Sequence, residues 1–135
     1  MTASLENSTI LVVDDDADIR NLLKTAFEQA GASVVTTDSV DAALDAFRHS
    51  PPHAVIADIR LGVSDGYALI QAIHEINAEY RSVTPVIAIT GFASREDEER
   101  AKSTGFTAYF SKPFDPTEIV NTVRTLLGGP LERTA

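Results

Sequence analysis

Ile10-Leu11-Val12-Val13-Asp14-Asp15-Asp16 is an apolar, β-branched run that breaks off into three consecutive acids. Four apolar residues in a row suit a strand covered on both faces; a half-exposed strand would alternate. The period then changes. Ile19, Leu22, Leu23, Ala26 and Phe27 recur at the spacing of an amphipathic helix, and Gly31 supplies its stop.

Outward from this unit, strand followed by helix repeats along the chain. Val34-Val35-Thr36 reads as a second strand, and Ser39 as the N-cap of a helix carrying Val40, Ala43, Leu44 and Phe47. Pro51-Pro52 breaks the chain before Ala54-Val55-Ile56-Ala57, a third strand closed by Asp58. After a loop over 61–66, Leu69, Ile70, Ile73 and Ile76 mark a third helix. Pro85 precedes a fourth strand, Val86-Ile87-Ala88-Ile89, ending at Thr90-Gly91. Ser94 with Asp97 three residues on resembles a capping box for a mostly polar helix over 95–103, which Gly105 ends. Ala108-Tyr109-Phe110 is a fifth strand, followed by Lys112-Pro113 and a helix with Ile119, Val120, Val123, Leu126 and Leu127.

Five strand–helix units in series imply a parallel sheet with helices on both faces, and right-handed crossovers restrict its topology. The fold class is therefore α/β, an open doubly wound sheet. The 135 residues suit one domain, expected over 9–128, between a flexible lead of 1–8 and a flexible tail of 129–135. Eleven Lys and Arg against twenty Asp and Glu give a net charge of −9, which argues against direct binding to nucleic acid or to an anionic membrane surface. The absence of cysteine excludes thiolate catalysis and Cys-ligated zinc. With no apolar stretch near the ~20 residues of a membrane span and no export-type signal, the expected location is the cytoplasm. His49, His53 and His74 lack metal-ligand spacing and are expected at the surface.

Chemistry is expected where the strands end, because open α/β sheets bind ligands outside the carboxyl edge. That rim gathers Asp14, Asp15, Asp58, Thr90 and Lys112. Clustered carboxylates repel unless a cation intervenes. Mg2+ suits such oxygen ligands and keeps positions for water and phosphate. An aspartate also serves as nucleophile toward a phosphoryl group, with Lys112 neutralising the charge that develops and Thr90 donating a hydrogen bond.

Val12-Val13-Asp14-Asp15, Asp58 followed by Asp65-Gly66, Thr90, and Lys112-Pro113-Phe114 together resemble the receiver domains of two-component response regulators. The resemblance spans about residues 10–127. It implies a flavodoxin-like, five-stranded parallel sheet of order 2-1-3-4-5. It implies Asp58 as phosphoacceptor, Asp15 as direct Mg2+ ligand, Asp14 acting through water, the Arg60 carbonyl completing the protein ligands, and Lys112 neutralising the phosphoryl group. Thr90 and Tyr109 would be the switch pair, and the Lys112-Pro113 bond would be cis. Implied partners are a sensor histidine kinase or phosphotransfer protein and a downstream protein target. A homodimer through the fourth helix, fifth strand and fifth helix is also implied. Such a domain catalyses its own phosphorylation and dephosphorylation without being a conventional enzyme.

Gly62 stands where many members have proline, and Arg60 and Phe92 are large at positions expected to shield the acyl phosphate from water. One alternative is an aspartate-dependent phosphohydrolase, but Arg60 occupies the position where a second acid is needed. Another is an interaction module that keeps the fold without the reaction. Whether the chain stands alone or belongs to a longer regulator or hybrid kinase stays open.

Overall fold

A computed structural model describes residues 5–61, 64–80, 83–91, 99 and 103–128, with the side chains of 60, 61 and 64–66 excepted. Among the described residues, five strands form one parallel sheet: β1 (Thr9–Val13), β2 (Ser33–Thr37), β3 (Ala54–Asp58), β4 (Val86–Thr90) and β5 (Ala108–Ser111). Their spatial order is 2-1-3-4-5. The described helices are α1 (Ala17–Gln29), α2 (Val40–His49), α3 (Gly66–Tyr80) and α4 (Pro116–Leu127). A two-residue antiparallel ribbon, Arg60–Leu61 against Ser64–Asp65, follows β3.

Alternation along the strands divides the core into two layers. Leu11, Val13, Val55, Ala57, Val86 and Ala88 face one way, onto Phe47 of α2 and Ile70 and Ile73 of α3. Ile10, Val12, Ala54, Ile56, Ile87 and Ile89 face the other way, onto Phe27 of α1 and Ile119 and Val123 of α4. The central strands β1, β3 and β4 are buried on both faces, which is why they read as unbroken apolar runs. The edge strands β2 and β5 are partly exposed, and their sequences are correspondingly more mixed.

Local chemistry sets where the helices begin and end. Ser39 Oγ accepts from the Ala42 N–H at 3.2 Å, as its N-cap position predicts. Asp115 caps α4 by accepting from the Thr117 N–H, with Pro116 at the first helical position. Gly31, at φ 100°, carries the chain out of α1. Gly105, at φ 108°, is doubly constrained, since a Cβ there would run into the His74 imidazole. Asn77 of α3 bonds both backbone groups of Thr84 at 3.4 Å and so sets the approach to β4.

Within the lead expected over 1–8, residues 5–8 are described. Leu5 is buried among the α1-side apolar residues, and its N–H donates to the Ala30 carbonyl at 3.1 Å. The Leu5 carbonyl accepts from Ser8, whose own carbonyl accepts from Ser33. A single apolar residue in a polar stretch has no period, so the sequence gives no sign of this contact. Of the helix expected over 95–103, the described residues Glu99 and Ser103 are helical. The Ser94–Asp97 cap, Phe92 and Gly62 lie outside the described residues. All three histidines are exposed, and His53 Nδ1 accepts from the Thr9 N–H at 2.9 Å. Among the described residues no helix is long and apolar enough to cross a membrane.

Leu5→Ala should lower unfolding free energy by about 2–4 kcal/mol, the range for truncating a buried leucine. Urea denaturation measures this, and a loss below about 1 kcal/mol would mean that Leu5 is not part of the core.

Candidate functional site

Strand register assembles the site. Val13 pairs with Ala57, so the next residues, Asp14 and Asp58, leave the sheet side by side. Thr90 ends β4 beside Ser111, and Lys112 follows directly. The backbone continues this order past the strands. Asp14 N–H donates to Thr37 O at 3.1 Å, and Lys112 N–H to Thr90 O at 2.6 Å. The Lys112-Pro113 peptide bond is cis.

The three acids that end the first apolar run have separate roles. Asp16 is the N-cap of α1, its carboxylate accepting from the Asp18 N–H. Asp14 is fully buried, and its Oδ1 accepts from the Asp16 N–H at 2.9 Å. Asp15 is exposed at the mouth of the cluster. Carboxylate oxygens of Asp14, Asp15 and Asp58 lie within 4.8 Å of one another, an arrangement able to hold a metal ion. Lys112 Nζ bridges two of them, 2.9 Å from Asp58 Oδ2 and 3.3 Å from Asp14 Oδ2. With all four groups ionised the cluster carries two net negative charges, the complement of one divalent cation. The donor set is all oxygen, the chemistry that hard cations prefer.

Burial pushes the Asp14 carboxyl up to about 6. The Asp16 N–H works against that rise, the Asp58 charge adds to it, and Lys112 pulls it down. For Lys112, burial acts to lower the pKa, but hydrogen bonding and charge from Asp58, then Asp14, together outweigh it and raise the value.

The other expected residues take up related positions. Thr90 is buried at the same rim. Tyr109 lies one strand over, opposite Ala88, half-buried against the α2–α3 side of the core. Arg60 follows Asp58 by two residues and pairs with Asp65 through the ribbon. The sequence reading did not single out Arg20, whose Nη1 donates to the Asp14 carbonyl at 2.7 Å. Its one visible signal is a basic residue in the opening turn of a helix, where dipole considerations favour acids. A hollow between α2 and α3, lined by Phe47, Pro51, Ile76 and Tyr80 and by Arg48, Glu75 and Glu79, is separate from the Asp14, Asp15 and Asp58 cluster.

A doubly wound parallel sheet with an acidic, lysine-bridged cleft at its carboxyl edge defines the flavodoxin-like class with a rim site. Residues 10–124 match the response regulator receiver domain, and the chain belongs to that family. It is 35% identical over 121 residues to an uncharacterized 14.6 kDa protein of Leptolyngbya boryana, covering 90% of this chain and 91% of that one. It is 32% identical to the polar-differentiation response regulator DivK of Brucella ovis, covering 89% and 96% of the two chains. The chemotaxis protein CheY4 of Vibrio cholerae has a similar structure, with TM-score 0.79 at 27% identity, covering 89% and 98%. Other relatives are longer. The chain spans 44% of a probable transcriptional regulator ycf27 of Guillardia theta and 52% of response regulator Rre1 of Synechocystis.

The raised Asp14 pKa fixes a sign for stability against pH. The folded protein holds this proton more tightly than the unfolded chain does. Stability from this group is therefore full below about pH 4, the ordinary aspartate value, and is lost as pH rises through about 6. In EDTA, Asp14→Asn should exceed wild type in stability by about 1–3 kcal/mol at pH 7.5, with the gap closing toward pH 4. Urea unfolding across this range checks it, and a gap independent of pH would contradict the assignment.

Proposed function

We propose that Asp58 accepts a phosphoryl group from a phosphohistidine on a sensor histidine kinase or phosphotransfer protein, and that this transfer switches a protein-binding surface. The observation that carries the reading is the Lys112 ammonium, held 2.9 Å from Asp58 and 3.3 Å from Asp14. An oxygen of Asp58 attacks phosphorus, the new O–P bond forms as the N–P bond breaks, and the electron pair leaves with the donor imidazole. Lys112 keeps a positive charge beside the acceptor oxygen throughout, where negative charge gathers in the transition state. Asp14, Asp15 and Asp58, with the Arg60 carbonyl, would hold a Mg2+ ion, which when bound supplies further charge neutralisation to the phosphoryl oxygens.

Phosphorylation replaces the single carboxylate charge on Asp58 by a phosphoryl dianion. The Thr90 hydroxyl, buried at the same rim, is the donor that would meet this new acceptor. Its movement toward the phosphoryl group leaves room for the half-buried Tyr109 ring to turn inward. The change is a shift between two populations, biased by contacts that only the phosphorylated state offers. The surface it alters would bind a downstream protein, or a second copy of the chain, in the cytoplasm.

Incubation with acetyl phosphate and Mg2+, followed by intact-mass measurement, should add one phosphoryl group to the wild type and none to Asp58→Asn. Lys112→Ala should slow acceptance by about 100-fold or more, the scale for removing one charge-stabilising donor. Equal modification of wild type and Asp58→Asn would end this reading.

A further inference from the structure

Arg20 stands in the opening turn of α1, where α1, α2 and α4 otherwise place Asp18, Asp41 and Glu118. A cation there opposes the helix dipole, so helix stability does not account for it. Its side chain folds back to the strand end instead, and Nη1 donates to the Asp14 carbonyl at 2.7 Å. Hydrogen bonds from an ionised donor are shorter and roughly twice as strong as neutral ones. That carbonyl belongs to the peptide unit joining Asp14 to Asp15. Fixing its plane fixes the frame from which both carboxylates project.

The remaining polar groups of Asp14 are already tied down. Its N–H is held by Thr37 O, its Oδ1 by the Asp16 N–H and its Oδ2 by Lys112. The carbonyl is the remaining polar group of this residue, and Arg20 holds it. Arg20 also anchors its own end, its N–H donating to Asp16 O at 3.1 Å. The guanidinium, the helix cap and the acid pair therefore form one closed local unit.

We propose that Arg20 is a positioning residue that presets the spacing of the Asp14 and Asp15 carboxylates for a divalent cation. This rests on the reading of those two acids as cation-holding groups. It assigns to Arg20 no contact with the cation or the phosphoryl group. Losing it should weaken cation binding and leave the transfer step intact once the site is filled.

The test is Mg2+ titration by calorimetry into wild type, Arg20→Ala, Arg20→Met, Arg20→Lys and Asp14→Asn, with urea unfolding in EDTA on the same samples. Arg20→Met keeps the apolar stem and loses the donor, so it serves where Arg20→Ala fails to fold. Arg20→Ala and Arg20→Met should bind Mg2+ about tenfold or more weakly, as expected when an outer partner of a metal ligand is lost, with urea midpoints in EDTA close to wild type. Arg20→Lys, which keeps a charged donor, should regain part of the affinity. The acetyl phosphate reaction at saturating Mg2+ should recover to within about twofold of wild type, the pattern of a binding defect and not a chemical one. Wild-type affinity in Arg20→Met, beside weakened binding in Asp14→Asn, would overturn the role of Arg20 alone. Absence of Mg2+ binding by the wild type would overturn this inference together with the cation site. A rate still depressed at saturating Mg2+ would overturn the positioning role and give Arg20 a part in the transfer.

Discussion

Two buried carboxylates share one ammonium: Lys112 meets Asp58 at 2.9 Å and Asp14 at 3.3 Å. The ammonium offsets part of the cost of placing both carboxylates at this depth, because an unpaired buried charge costs several kcal/mol. The contact joins residues 98 and 54 positions apart in the chain. It therefore exists only when β1, β3 and β5 have reached their places in the sheet. The strand order is as much a requirement of this contact as of the apolar core, since β5 must sit two strands from β3 for a lysine arm to span β4.

The rest of the architecture confines polar chemistry to one edge. Both faces of the sheet are covered by apolar layers, so the strand ends are where charged groups meet water. Each long-range bond at the rim continues a strand pairing by one more step: Asp14 to Thr37, Ile59 to Ile89, Lys112 to Thr90. The site is built on backbone ladders and not on a loose loop, which holds its carboxylates at short range despite their repulsion.

Much of this was legible in the sequence because it obeys simple periods. Unbroken apolar runs gave the buried strands, 3.6-residue stripes gave the helices, and Ser39 and Gly31 marked boundaries by known local chemistry. Asp14, Asp58, Thr90 and Lys112 are legible as rim residues because each ends a strand or directly follows one. Three features escaped for physical reasons. Leu5 packs through a single side chain, which no period reveals. The split of Asp14-Asp15-Asp16 into a buried acid, an exposed acid and a helix cap depends on backbone direction, which composition does not carry. Arg20 acts through a main-chain carbonyl six residues back, a contact with no side-chain partner to suggest it.

The energetic sign of Asp14 separates what the fold wants from what the site wants. Burial raises its pKa to about 6, so near neutrality the ionised form opposes the folded state. A residue selected for packing alone would be neutral here. Its hydrogen bonds to Asp16 and Lys112 hold the ionised form in place without removing the opposition. Such a cluster is relieved by added positive charge and strained by added negative charge. An added cation and an added anion at this rim therefore act on its stability with opposite sign. Lys112 ties this charge balance to the neighbouring strand: its ammonium lies nearer Asp58, at 2.9 Å, than Asp14, at 3.3 Å, and its N–H donates to the Thr90 carbonyl. A local change in charge is in this way tied to the edge of the sheet where Tyr109 lies.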